Sequence, residues 1–195
     1  MKNPLLKALI ILLIVQTAQA QTTAKEKILG MSIEVNASVD SVWSRWTTES
    51  GRKKFFAPSS KMELKTLGFM EILFMPSAPE GQRGAENNRI LAFTEMQMLS
   101  FTWDAPPQFP DIRAQRTIVA IRLEKLSDKR TKVILSQMGW GTGGNWDKVY
   151  DYFAKAWSGF VLPNLKYSLE VGPVDWSDFP NKLPKNLASA NLTNN

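Results

Sequence analysis

The chain contains no cysteine and no histidine. Without cysteine there is no disulfide, no thiolate nucleophile and no thiolate metal site, so a folded domain must be held by its core alone. Without histidine the usual proton carrier near neutral pH is missing, and with it histidine-dependent serine triads and histidine-ligated zinc or iron. What remains for chemistry is carboxylate, Lys, Arg, Tyr and Ser/Thr, none of which forms a recognisable pair at mechanistic spacing, so no catalytic residue, cofactor or metal is expected. Long apolar runs are short in supply too. The run from Leu9 to Val15 falls well below the roughly 20 residues needed to span a bilayer as a helix, and no later stretch is longer. Lys/Arg blocks interleaved with aromatics are also missing, which argues against nucleic acid as a partner. The most basic short run, Arg52-Lys53-Lys54, reads as the wet face of a turn or short helix.

What is there begins with that apolar run. Lys2 and Lys7 stand at its start and Ala18-Gln19-Ala20 follows it, the pattern of an export signal over residues 1–20 cleaved before Gln21. The mature protein is therefore expected outside the cytoplasm, in a periplasm or secreted. No cysteine follows the run, so a lipid anchor at the new N-terminus is excluded. The formal charge of +6 falls once Lys2 and Lys7 are removed, leaving a mild bias toward anionic surfaces or lipids. One domain of ordinary size remains. It carries 7 Trp and 10 Phe, side chains wide enough to fill a core or line an apolar cavity.

Met31, Ile33 and Val35 alternate with Ser32 and Glu34 as in a half-buried strand. Ser38 is placed to cap a helix with apolar positions Val39, Val42, Trp43 and Trp46, and Gly51 interrupts it before a short second helix over Lys53–Phe56. Met62 and Leu64, then Phe69 to Met75, read as a hairpin, and Pro76 to Asn88 as an exposed loop. Arg89–Met96 and Leu99–Trp103 are the next strands, followed by a proline-broken loop from Ala105 to Asp111 at a cavity mouth. Thr117–Leu123 is the clearest long strand, and a turn at Ser127–Arg130 pairs it with Thr131–Met138. Trp140-Gly141-Thr142-Gly143-Gly144 lacks both the phosphate-loop lysine and dinucleotide-binding spacing, so it reads as an approach to a helix capped by Gly144 or Asn145. That helix runs from Trp146 to about Val171, with one broad stripe through Trp146, Val149, Tyr150, Phe153, Trp157, Phe160, Val161, Leu165 and Leu169 and a bend expected near Gly159–Pro163. Residues 172–195 read as a polar, peripheral tail, of which only the first part carries residues, Trp176 and Phe179, placed to pin it onto the body.

Several of these stretches resemble one family. Ile33-Glu34-Val35-Asn36-Ala37-Ser38 with Val42-Trp43, Phe55-Phe56, Leu99-Ser100-Phe101-Thr102-Trp103, Thr117 to Leu126, Thr131 to Gly139, and Phe153 to Trp157 with Leu165-Lys166 are similar in order and spacing to the START-like, helix-grip superfamily called SRPBCC. The branch resembled is that of the C-terminal domain of the activator of Hsp90 ATPase. The resemblance covers residues 27–171 and implies an α+β fold in which a curved antiparallel sheet wraps a long C-terminal helix, with a cavity between them in many members. The periodicities independently ask for the same arrangement.

Family members include lipid and hormone binders, polyketide cyclases and dehydratases, and chaperone-associated domains, and a fold alone does not choose among them. The leading expectation is an exported protein that binds a hydrophobic small molecule, with Trp46, Phe74, Phe93, Phe101, Trp103, Met138, Phe153 and Trp157 as the ligand-binding candidates. Plain core packing is the competing role for each aromatic. Arg116 or Arg122 is the candidate anchor for an acidic ligand, against an ordinary solvent-facing role. The alternative enzyme would act on a hydrophobic substrate through Glu71, Glu95, Asp104 or Tyr150, whose ordinary role is surface exposure. A protein-interaction module is the third class, although an export signal and a cytosolic Hsp90 belong to different compartments.

Overall fold

Alternation builds the sheet. In the computed structural model, which describes residues 26–186 and 191–193, β1 (Leu29–Val35) buries Leu29, Met31, Ile33 and Val35 on one face. The export-signal residues lie outside the described residues. Ser38 then caps α1 (Val39–Thr47), its side chain accepting from the Ser41 N–H at 3.4 Å, and Asp40 sits in the first turn where the helix dipole favours an anion. Val42, Trp43 and Trp46 form the buried stripe of α1. The Thr48 hydroxyl caps the five-residue α2 (Glu49–Lys53).

The strands that follow are β2 (Ser59–Met62), β3 (Phe69–Leu73), β4 (Gly84–Thr94), β5 (Met98–Trp103), β6 (Thr117–Ser127) and β7 (Arg130–Met138), with a single turn α3 (Pro110–Arg113) between β5 and β6. They pair antiparallel with β1 and with a short strand β8 (Asn191–Thr193) in the order β2-β3-β4-β5-β6-β7-β1-β8. Every strand from β5 to β7 and β1 turns one apolar face to the same side. Phe101, Val119, Ile121, Val133 and Leu135 line that face and are fully or almost fully buried.

The long helix lies against it as α4 (Trp146–Ala156), a π-turn (Trp157–Val161) and α5 (Leu162–Glu170). The widened turn is where the bend was expected. Pro163 has no N–H to give the Gly159 carbonyl one turn back, and the ladder slips so that the Leu162 N–H donates to Trp157 O. Polar pins fix the helix to the sheet. Trp157 Nε1 donates to Gln137 Oε1 at 2.8 Å, Gln137 Nε2 donates to Thr117 Oγ1 at 2.8 Å, and that hydroxyl donates to the Trp103 carbonyl at 3.0 Å. At the far end Lys166 Nζ reaches the Glu34 carbonyl and Glu170 Oε1, whose other partner is the Asn36 N–H. Each large side chain fully withdrawn from water contributes about 1.5–3 kcal/mol, so this single core suffices without disulfides.

Several sequence expectations change. Arg52 is not on a wet face: it is 1% exposed, with Nε on Ser60 Oγ and Nη1 on the Trp46 carbonyl. Burial pushes its guanidinium down to about 10, against a nearby Glu49 that pushes it up, and it remains charged at neutral pH. Pro76–Asn88 is not loop to its end. Gly84 begins β4 with a φ of +145°, and a Cβ there would lie 2.4 Å from the Ile72 carbonyl, so only glycine lets β3 and β4 approach. Asn145 stands at the N-cap of the long helix, but its side chain makes no capping hydrogen bond; its amide donates to Asp111 instead. The glycine segment before α4 serves packing, since a Cβ on Gly141 would sit 2.2 Å from the Trp146 indole nitrogen.

The tail is more than peripheral. The Val174 N–H donates to the Lys54 carbonyl and Trp176 Nε1 to the Lys53 carbonyl. Phe179 packs on Phe74 and Phe160, and Asn186 Nδ2 supplies the Gly159 carbonyl at 3.0 Å. Further on, β8 adds a strand to the free edge of β1.

Candidate functional site

A cavity of about 500 Å³ opens at one end of the contact between helix and sheet. Four segments wall it: the β3–β4 connection from Phe74 to Ala85, the end of β5 from Trp103 to Gln108, the helix from Tyr152 to Val161, and the tail through Phe179, Pro180 and Leu183. The proline-broken stretch after β5 lies at this cavity, where Pro106 and Pro107 line it. Its volume falls within the roughly 300–1,000 Å³ of small-molecule sites.

The eight candidate residues divide. Phe74, Trp103 and Phe153 line the cavity. Trp46, Phe101 and Trp157 are sealed in the core behind it, at no more than 1% exposed. They belong to one aromatic cluster around Phe56, whose ring lies 5.2–6.2 Å from those of Trp46, Phe55, Phe74, Trp103 and Trp157, with Phe101 joined to it 5.6 Å from Trp103. Phe93 lies away from the cavity: the β4–β5 register shifts between Ile90 and Ala92, and beyond that shift Phe93 is 37% exposed. Met138 faces away as well, because the buried residues of β7 are Thr131, Val133, Leu135 and Gln137.

Behind the apolar wall lies a charged cluster that the sequence did not reveal. Asp104 and Glu86, expected in solvent or loop, are almost wholly buried. Asp104 Oδ2 pairs with Arg113 Nη1 at 2.9 Å and Arg116 Nη1 at 3.2 Å, Oδ1 accepts from Asn88 Nδ2 at 3.0 Å, and the Glu86 N–H completes the shell. Glu86 holds Arg83 Nε at 2.7 Å and Arg113 Nη2 at 3.2 Å. Arg113 further donates to the carbonyls of Gly84 and Ala105. A bulge makes this possible. Asn87 takes a φ of +58°, which asparagine tolerates, so that Ala85, Glu86 and Asn88 all turn inward. The only trace in the sequence is the polar trio Glu86-Asn87-Asn88 interrupting a strand, which reads equally well as loop.

Burial pushes the Asp104 carboxyl above its ordinary value, outweighing its hydrogen bond to Asn88 and the two guanidiniums. Burial also pushes Glu86 up, but the hydrogen bonds from Arg83 and the Gly81 and Arg83 N–H groups win, so its net shift is downward from 4.5. A carboxyl with a lowered folded value stabilises the fold above its unfolded value and loses that contribution on acidification. Glu86→Gln is accordingly expected to cost about 1–3 kcal/mol at neutral pH. The gap from the parent should narrow as pH drops below 4.5, measured by urea unfolding at several pH values.

Arg122 is exposed and Arg116 is engaged by Asp104, so neither serves as the anchor expected for an acidic ligand. Glu71, Glu95 and Tyr150 do not line the cavity. Among the described residues there is no cluster of metal-ligating side chains and no helix long and apolar enough to cross a membrane.

A curved, open antiparallel sheet gripping a long C-terminal helix, with a cavity at one end, defines a helix-grip protein of the SRPBCC class. The chain belongs to the family of activator of Hsp90 ATPase homolog 1-like proteins, whose model matches residues 36–170. Comparison with curated proteins by sequence gives no match. Solved structures share the fold at low identity. The Aha1 dimer from Colwellia psychrerythraea is 17% identical with a TM-score of 0.56, covering 75% of this chain and 98% of that one. An HSP90 activator from Plasmodium falciparum is 14% identical at 0.56, over 75% and 96%. CalU16 from Micromonospora echinospora is 19% identical at 0.57, over 76% and 77%.

Proposed function

We propose that this is an exported binding protein for a hydrophobic small molecule, seated in the cavity between the long helix, the β4 and β5 ends and the tail. The observation that carries it is the cavity itself, which is open beside a core otherwise filled by Trp46, Phe56, Phe101 and Trp157. Its wall of Phe74, Trp103, Phe153 and Phe160 suits an apolar body, and Gln82, Gln108 and Arg83 supply the few polar groups that orient one. Export rests on the pattern of Lys2, Lys7 and Ala18-Gln19-Ala20.

A second function, that of a protein-interaction module, is supported more directly by family membership and by the neighbours described as Aha1 and as an HSP90 activator. The cyclase or dehydratase alternative has less behind it. The one carboxylate that lines the cavity, Asp104, already has its oxygens committed to Arg113, Arg116 and Asn88.

Native mass spectrometry of the mature protein from its exported fraction, followed by denaturing extraction, separates the two. One apolar species per chain supports the binding protein; a bare chain recovered with a stoichiometric protein partner supports the module. Ala156→Trp, which projects an indole into the cavity from the helix, is expected to weaken the bound species by at least about tenfold. Because Ala156 is only half-buried, its unfolding free energy should stay within about 1 kcal/mol of the parent.

A further inference from the structure

We propose that the occupant of the cavity is an amphipathic anion, an apolar chain or ring system ending in a carboxylate, with its acid head at Lys155 and Arg83 and its body along Trp103, Phe153 and Phe160. This rests on the cavity being a small-molecule site and adds the charge of what it holds.

The charge balance of the walls carries the assignment. Three guanidiniums, those of Arg83, Arg113 and Arg116, serve two carboxylates, Glu86 and Asp104, so the cluster behind the wall holds one positive charge in excess. Of these groups only Arg83 and Asp104 reach the cavity lining, and the Asp104 oxygens are turned to Arg113, Arg116 and Asn88. On the opposite wall Lys155 lines the cavity from α4. Among the described residues it makes no ion pair, although Asp151 stands one turn earlier on the same helix. Glu71 and Glu80 act on Arg83 from outside the lining. An entering head group therefore meets one cation without an ion pair, Lys155, and a second, Arg83, already held by Glu86, while the lining carboxylate of Asp104 is turned to its own partners. An ammonium head would be repelled, a neutral head would leave Lys155 unused, and a carboxylate completes it. The apolar wall lies on one side of Lys155 only, and because Lys155 is itself exposed the attraction is partly screened by solvent and salt.

The test compares two probes of one chain length, dodecanoate and dodecanol, each displacing the neutral dye N-phenylnaphthylamine from the mature protein below the probe's aggregation concentration. The acid is expected to bind about tenfold more tightly than the alcohol, the factor given by ~1.4 kcal/mol. That ratio should fall toward one in Lys155→Met and in Lys155→Gln, both changes at an exposed position that the fold tolerates, and it should shrink in about 1 M salt. Equal affinities for the two probes in the parent, or a preference that survives both Lys155 variants, would overturn the anionic head while leaving the cavity a binding site. Failure of both probes to displace the dye would overturn the cavity as an apolar site and the head group with it.

Discussion

Asp104→Ala is expected to cost about 3–5 kcal/mol, among the largest losses available outside the aromatic core. The residue is 3% exposed and lies just after β5. Its carboxylate joins Arg113 of α3, Arg116 just before β6 and, through Asn88 and the Glu86 N–H, the first residues of β4. Removing it leaves Arg116 without its counter-charge, Arg113 with Glu86 alone, and two donors, Asn88 Nδ2 and the Glu86 N–H, without an acceptor. The loss should sit near the lower end of that range, because Arg113 and Arg116 keep 16% and 29% of their side-chain exposure and water relieves part of the unpaired charge. Asp104→Asn keeps an acceptor for Asn88 and should lose clearly less. Urea midpoints at an unchanged slope measure both. A loss under about 1 kcal/mol for the alanine variant would mean that the cluster behaves as a solvated surface pair. Raised as it is by burial, the Asp104 carboxyl costs the fold least when protonated. The penalty of Asp104→Ala should therefore change with pH in the sense opposite to that of Glu86→Gln, since ionising Asp104 weakens the fold as pH rises through the window above 3.8.

Phe56→Ala is expected to cost about 3–5 kcal/mol through a different route, the cavity left when a ring is deleted from close packing. Phe56 is fully buried and touches Trp46, Phe55, Phe74, Trp103 and Trp157. It joins the short α2 turn to the sheet and to the π-turn of the long helix at once. Relaxation cannot close the gap from one side alone, because β5 and the helix are pinned together through Gln137. Phe56→Leu should recover a good part of the loss, and chemical denaturation of the two variants gives the comparison. An alanine variant within 1 kcal/mol of the parent would mean that the neighbouring rings collapse freely into the space. The new void would adjoin the natural cavity through Phe74 and Trp103, which line it.

The strands and the long helix were legible because their periods were clean. In β6 from Thr117 to Leu123 and in β7 from Thr131 to Gln137 the odd-numbered residues face the core, all of them apolar or small except Gln137, and the helix stripe runs unbroken to Pro163. Trp176 and Phe179 in a polar tail pointed to its docking for the same reason, since large rings find partners. The cavity's position was harder to see. Met138 looked like the inward end of β7 because its neighbour Gln137 is polar, yet Gln137 is the buried residue and answers Trp157 and Thr117. Phe93 failed for a related reason, a register shift upstream that alternation alone does not show. Arg52 and Asp104 carry full charges, and composition places charges outside; only tertiary partners, absent from any local pattern, bring them in.

The indoles set closely around the cavity have an optical consequence. Trp103 lines it, and its ring lies 5.3 Å from that of Trp157 and 5.8 Å from Phe56, which in turn is 5.5 Å from Trp46. At such spacings electronic excitation passes between indoles faster than it is emitted. Light absorbed by the sealed Trp157 is thus shared with Trp103, which lines the cavity, so the unlabelled protein would carry its own reporter of an occupant there.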